Sequence, residues 1–163
     1  MTLTPEHRFI DTLRRALEHV YGEALVSVSL FGSVARRSAR PDSDIDLFLV
    51  MNGLPRGRRA RLATFDPVEC AIRLARQSLA ATGSVTEVMP ILRTPEEIRN
   101  PSPLMLDLTE DAVLLLDRDA ILTRSLDDLR QRLRRLGSRR VFDAEGWYWD
   151  LKPDYRRGEI VEI

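Results

Sequence analysis

Lysine is all but missing from this 163-residue chain: Lys152 is the only one, and the rest of its 25 Lys and Arg residues are arginine. With no lysine before residue 152 there is no GxxxxGK[ST] stretch, and a P-loop is excluded. Cysteine is just as scarce. Cys70 stands alone, which rules out an internal disulfide framework, and its apolar helical surroundings read as those of a core thiol. The two histidines, His7 and His19, have no Cys or acid at ligand spacing, so a zinc site is not expected. No apolar run approaches the roughly 20 residues that span a bilayer. The opening MTLTPEHRFIDTLRRALEHVYG is amphipathic and charged throughout, unlike a signal peptide, and a cytoplasmic location without membrane contact is expected. An excess of charge is missing too: 25 acidic residues balance 25 basic ones, so no global field favours nucleic acid or an anionic surface.

What remains describes one ordinary globular domain over 1–163, with a core over 5–93 and a strand, helix and Trp-rich tail over 103–163. Thr4-Pro5-Glu6 starts a helix that carries Phe9, Ile10, Leu13, Leu17 and Val20 at helical spacing and stops at Gly22. Residues 24–31 alternate apolar and small polar side chains, as a strand does, and 44–51 form a second strand closed by Asn52-Gly53. A helical stretch over 56–82 breaks at Asp66-Pro67. A third strand is expected over 85–92, with Pro90 marking an edge. A short helix over 103–111, a buried fourth strand over 112–117 and an amphipathic helix over 119–136 follow. The last 25 residues read as a hairpin and a tail, with Trp147 and Trp149 on one strand face and Tyr148 on the other. The fold class is therefore α/β in the α+β sense: a small mixed sheet with helices packed mainly on one face.

Chemistry concentrates in FGSVARRSARPDSDIDL, residues 31–47. Side chains two apart on a strand share a face, so Asp44 and Asp46 lie side by side. Two adjacent carboxylates repel unless a cation neutralises them, and the hard cation suited to oxygen ligands and phosphate is Mg²⁺. Upstream, Gly32-Ser33 supplies backbone N–H groups and a hydroxyl with no Cβ in the way of a phosphate. A phosphate cradle beside a metal pair points to nucleotide chemistry.

Gly32-Ser33, the ten residues Val34 to Ser43, and Asp44-Ile45-Asp46 together resemble the motif of the minimal nucleotidyltransferases, a branch of the polymerase-β-like superfamily. Ser43 to Leu47 and Ala35 before Arg36 match as well. The resemblance implies transfer of a nucleoside monophosphate, AMP from ATP, to an acceptor with release of pyrophosphate, assisted by two Mg²⁺ ions. It implies metal binding by Asp44 and Asp46, and nucleotide binding by Gly32, Ser33, Arg36 and Ser43. A third carboxylate on a later strand completes the first metal site and takes the acceptor proton. Glu87 is the candidate, one methylene longer than the family's usual Asp. Members of this family are often paired with a helical HEPN-type toxin, which makes a protein acceptor the expected partner. The alternative is a nucleotide-binding antitoxin or regulatory module with little transfer.

Each assignment has a plainer competitor. Asp44 and Asp46 could be a turn acid and a solvated strand end, Glu87 an exposed edge acid, Ser33 a helix cap and Arg36 a solvated surface residue. Asp66 and Glu69 sit at a helix start and read as caps. The arginines at 56, 58, 59 and 61, and those from 130 to 140, read as solvated helix faces. The aromatic tail reads as packing over the sheet or across a homodimer.

Overall fold

The run Ile45–Met51 is buried along nearly its whole length, and a strand with two apolar faces needs cover on both. In the computed structural model, which describes residues 4–40, 43–83, 87–143 and 146–160, this strand lies inside a four-stranded sheet. β1 (Leu25–Phe31), β2 (Ile45–Met51), β3 (Val88–Arg93) and β4 (Val113–Asp117) are arranged in the order β3-β2-β1-β4. β1 runs antiparallel to both β2 and β4, while β3 runs parallel to β2, so the sheet is mixed as expected.

Among the described residues six α-helices surround it: α1 (Pro5–Tyr21), α2 (Gly32–Ala35), α3 (Arg58–Ala63), α4 (Asp66–Ala80), α5 (Pro103–Asp111) and α6 (Ile121–Leu136). One face of the sheet, with Val28, Leu30, Leu47, Leu49 and Leu92, packs on Phe9, Leu13 and Leu17 of α1 and on Val68, Ile72 and Leu79 of α4. The other, with Phe48 and Val50, packs on Met105 and Leu108 of α5 and on Leu122, Leu126, Leu129 and Leu133 of α6. The cover is thus two-sided rather than mainly on one face. The unbroken apolar stretch of β2 requires it, since leaving Phe48 and Val50 in water would forgo roughly 1.5–3 kcal/mol each.

Local signals set most boundaries. The Thr4 hydroxyl accepts the His7 N–H at 3.3 Å, and Gly22 ends α1 with φ of +53°. The helical stretch after β2 breaks into α3 and α4 at Asp66-Pro67. Three expectations change. Cys70 is exposed, because α4 turns Val68 and Ile72 inward and the residue midway between them outward. β4 is an edge strand with Val113 and Leu114 exposed, not a buried one. β3 begins at Val88; Val85, which was expected to open it, lies outside the described residues.

The C-terminal segment forms a separate hairpin, β5 (Arg139–Phe142) with β6 (Trp147–Asp150). Arg140 pairs with Trp149 and Phe142 with Trp147, so these four side chains share one face. Among the described residues, no helix is long and apolar enough to cross a membrane.

Candidate active site

β1 ends where β2 begins, and the sequence motif straddles that end of the sheet. Asp46 stands opposite Phe31 on one side and Met89 on the other. The three form the last rung of the second face, at the rim of the cover that α5 and α6 give Phe48: Phe31 still packs on that core, whereas Met89 is exposed. Asp44 lies two residues further out and is exposed. The two carboxylates thus occupy the uncovered end of an otherwise buried strand.

Gly32 explains how Asp46 fits there. It follows β1 directly and takes φ of +69°, turning the chain into the short helix α2. A Cβ at Gly32 would come within 2.1 Å of Asp46 Oδ2 and 3.1 Å of its Cγ. The carboxylate therefore occupies the space that a side chain at Gly32 would fill. Burial, and next the charge of Asp44, push the Asp46 carboxyl above the usual carboxylate range, while the Arg36 guanidinium draws it back. A pair of carboxylates crowded in this way suits a hard divalent cation, which needs only one or two protein oxygens beside phosphate and water.

The other expected residues are placed less uniformly. Ser33 lies in α2, where its carbonyl accepts the Ser38 N–H at 2.9 Å; the cap position belongs to Phe31, so Ser33 is not the helix cap. The Ser43 hydroxyl accepts the Arg40 N–H at 2.8 Å, a bond between two residues close before Asp44. Glu87 lies one residue before β3 and is exposed, so it is not inside the strand as expected. Its carbonyl accepts the Ile45 N–H at 2.8 Å, and because Ile45 pairs with Val88, the register sets Glu87 level with Asp44. Among the described residues, no three His, Cys, Asp or Glu side chains converge as a ready-made metal cluster. Asp44 and Asp46 are brought together; Glu87 is brought to the same end of the sheet without joining them.

Arg36 has partners that its sequence position did not suggest. Its Nη1 donates to Asp111 Oδ2 at 3.0 Å, and its guanidinium lies 4.8 Å from the centre of the Trp147 ring. Asp111 is 9% exposed and also pairs with Arg140, whose guanidinium lies 5.1 Å from the same ring. Asp107 accepts the indole N–H of Trp147 at 3.2 Å and of Trp149 at 2.9 Å. The face shared by Trp147 and Trp149 is readable from alternation, but no local signal tells that it docks beside the Gly-Ser turn. The arginines expected on solvated faces are partly engaged as well. Arg61 forks onto Glu97 with two bonds of 2.8 Å, and Arg130 donates to the Thr109 carbonyl.

Residues 10–103 match the family model of the nucleotidyltransferase domain, and that span includes the Gly-Ser turn, both aspartates and Glu87. The chain belongs to the nucleotidyltransferase domain family. It is similar to a Methanocaldococcus jannaschii protein provisionally described as a protein adenylyltransferase, with 22% identity over 143 residues, 86% of this chain and 92% of that one. Among solved structures, spectinomycin adenyltransferase from Enterococcus faecialis, crystallised with ATP and spectinomycin, shares the fold: TM-score 0.53, 11% identity, 77% of this chain and 66% of that chain. A toxin–antitoxin structure with AMP-PNP aligns at a TM-score of 0.46 and 14% identity, over 78% of this chain and 91% of that one. The nucleotidyltransferase core carries its motif at the open end of β1 and β2.

Proposed function

We propose that this nucleotidyltransferase moves AMP from ATP onto a hydroxyl of a protein acceptor, with Mg²⁺ held by Asp44 and Asp46. The observation that carries the reading is the Asp46 carboxylate laid against the bare backbone of Gly32 with Asp44 beside it. When bound, the metal neutralises triphosphate charge and polarises the reacting oxygens. Gly32 and Ser33 cradle the β- and γ-phosphates with backbone N–H groups, Arg36 reaches the triphosphate, and Ser43 fixes the loop and offers its hydroxyl proton to the nucleotide. Glu87, level with Asp44, takes the acceptor proton. The acceptor oxygen then bonds to the α-phosphorus as the bond to the bridging oxygen breaks, and pyrophosphate leaves.

The Methanocaldococcus relative, similar over most of both chains, supports a protein acceptor. The resemblance of the motif to minimal nucleotidyltransferases makes a HEPN-type helical toxin the first acceptor to try. A second reading, nucleotide binding with little transfer, is favoured by one observation: Glu87 stands before β3 and outside any three-carboxylate cluster among the described residues. Incubation with Mg²⁺, α-labelled ATP and a HEPN-type partner separates the two. The enzyme reading expects label on the partner, lost in D44N and D46N, and reduced about a hundredfold in E87Q with MgATP affinity unchanged. Tight ATP binding without transfer to any partner would establish the second reading instead. Transfer at an unaltered rate in E87Q would remove Glu87 from the chemistry.

A further inference from the structure

The C-terminal hairpin has enough contacts to hold itself in place without Arg36. Trp149 donates to Asp107, Arg140 pairs with both Asp107 and Asp111, and Arg140 also lies over the Trp149 ring at 5.5 Å. Yet the hairpin and α5 also grip Arg36, three residues past Ser33. Asp111 takes its Nη1, and the Trp147 ring lies under its guanidinium plane, itself fixed by the indole bond to Asp107. From this geometry we infer that Asp111 and Trp147 are positioning residues for Arg36, so that the C-terminal hairpin, besides packing Trp149 on the second core, is a working part of the nucleotide site. The inference rests on the proposed reading of Arg36 as a triphosphate contact.

Arginine suits this arrangement for a physical reason. Its five donors form a rigid planar fork, so anchoring one nitrogen and one face orients the rest. With Nη1 committed to Asp111 and the guanidinium carbon over the Trp147 ring, Nε and Nη2 are the donors that would serve a phosphate. Immobilising that fork before the nucleotide arrives removes an ordering cost from binding. The consequence is specific to the outer phosphates: a nucleotide without them gains nothing from a well-placed Arg36.

Calorimetric titration of the full chain with MgATP and, in parallel, with AMP tests this. W147A and D111N should weaken MgATP binding roughly threefold to thirtyfold, the range expected for a lost cation–π or charge-assisted contact, and leave AMP binding as in the wild type. W147F keeps a ring under the guanidinium and should recover part of the loss; it also serves if W147A does not fold. Y148A, on the opposite face of the hairpin, should bind like the wild type. Trp147 and Trp149 are the only tryptophans in the chain, so their emission should change as MgATP saturates the wild type and stay nearly constant in R36A. MgATP binding unaltered in W147A and D111N overturns the inference, as does an equal loss for ATP and AMP. D44N that abolishes MgATP binding while W147A has no effect leaves the nucleotidyl-transfer reading standing and the inference refuted. A wild type that takes up no MgATP refutes both.

Discussion

Replacing Gly32 with alanine should separate the cost of folding from the cost of chemistry. The added methyl meets two problems. The first is conformational: φ of +69° is the left-handed region, where an alanine costs about 1–2 kcal/mol. In a chain of this size each kcal/mol lowers the melting temperature by roughly 2–4 °C, so G32A should melt about 2–8 °C below the wild type. The second is steric and falls on one group. The methyl would lie 2.1 Å from Asp46 Oδ2, where 3.4 Å is ordinary contact, so the carboxylate must retreat by about 1 Å. A carboxylate can swing away cheaply, which spares stability, but misplacing a reacting group by that distance costs roughly a hundredfold in rate. Gly53 provides the control. It has φ of +72°, and a Cβ added there would meet nothing within 4 Å, so G53A should carry a similar melting penalty and full activity. Thermal melts and Mg²⁺-dependent transfer of label from ATP give the two readouts. A G32A protein that melts as expected and transfers at the wild-type rate would refute the idea that Gly32 exists to seat Asp46.

Asp46 itself carries a pH signature. Its raised pKa means that the native state holds the proton more tightly than the unfolded chain does, so its contribution to stability is greatest in acid and falls as pH rises through the folded value. D46N should therefore melt higher than the wild type at neutral pH, with the gap closing on acidification or on adding Mg²⁺, and should lose about a hundredfold or more in transfer. Asp117 behaves oppositely. Burial pushes its carboxyl up, but bonds from the Ser27 hydroxyl, the Thr123 hydroxyl and N–H, and the Leu122 N–H outweigh that and hold it below the usual range. Its stabilisation is present above the unfolded pKa and lost as acid protonates it. D117A should cost about 2–4 kcal/mol by denaturant titration, through loss of the bonds that start α6. Tyr21, pushed up to about 12 by burial, should appear in an ultraviolet titration as a phenol ionising near pH 12.

The parts of this molecule that were legible in the sequence are those set by neighbours along the chain. Thr4, Pro5 and Gly22 bound α1, and the alternation of β2 set Asp46 on the face of Phe48 and Val50, with Asp44 just before the strand. What was not legible depends on distance. Which face α5 and α6 would cover is decided by Phe48 and Val50 meeting residues more than fifty positions away. Cys70 sits among apolar neighbours in sequence, yet helical phase turns it outward. Glu87 is close to the expected place, but the register that sets it level with Asp44 is a property of a parallel pair, not of its own strand. Arg36 meets Asp111 across 75 residues, and no spacing rule reaches that far.

The rung Phe31–Asp46–Met89 has a further consequence. Phe48 one rung inward is sealed, whereas Met89 is 46% exposed, so on the β2–β3 side the second core stops one step short of the strand ends. The metal site proposed above occupies an unfinished layer of packing. Engineering for heat resistance would tend to complete it: D46V would extend the apolar face and should exceed both the wild type and D46N in melting temperature while being inert in transfer. If Asp46 holds the metal as proposed, robustness and activity compete for a single side chain.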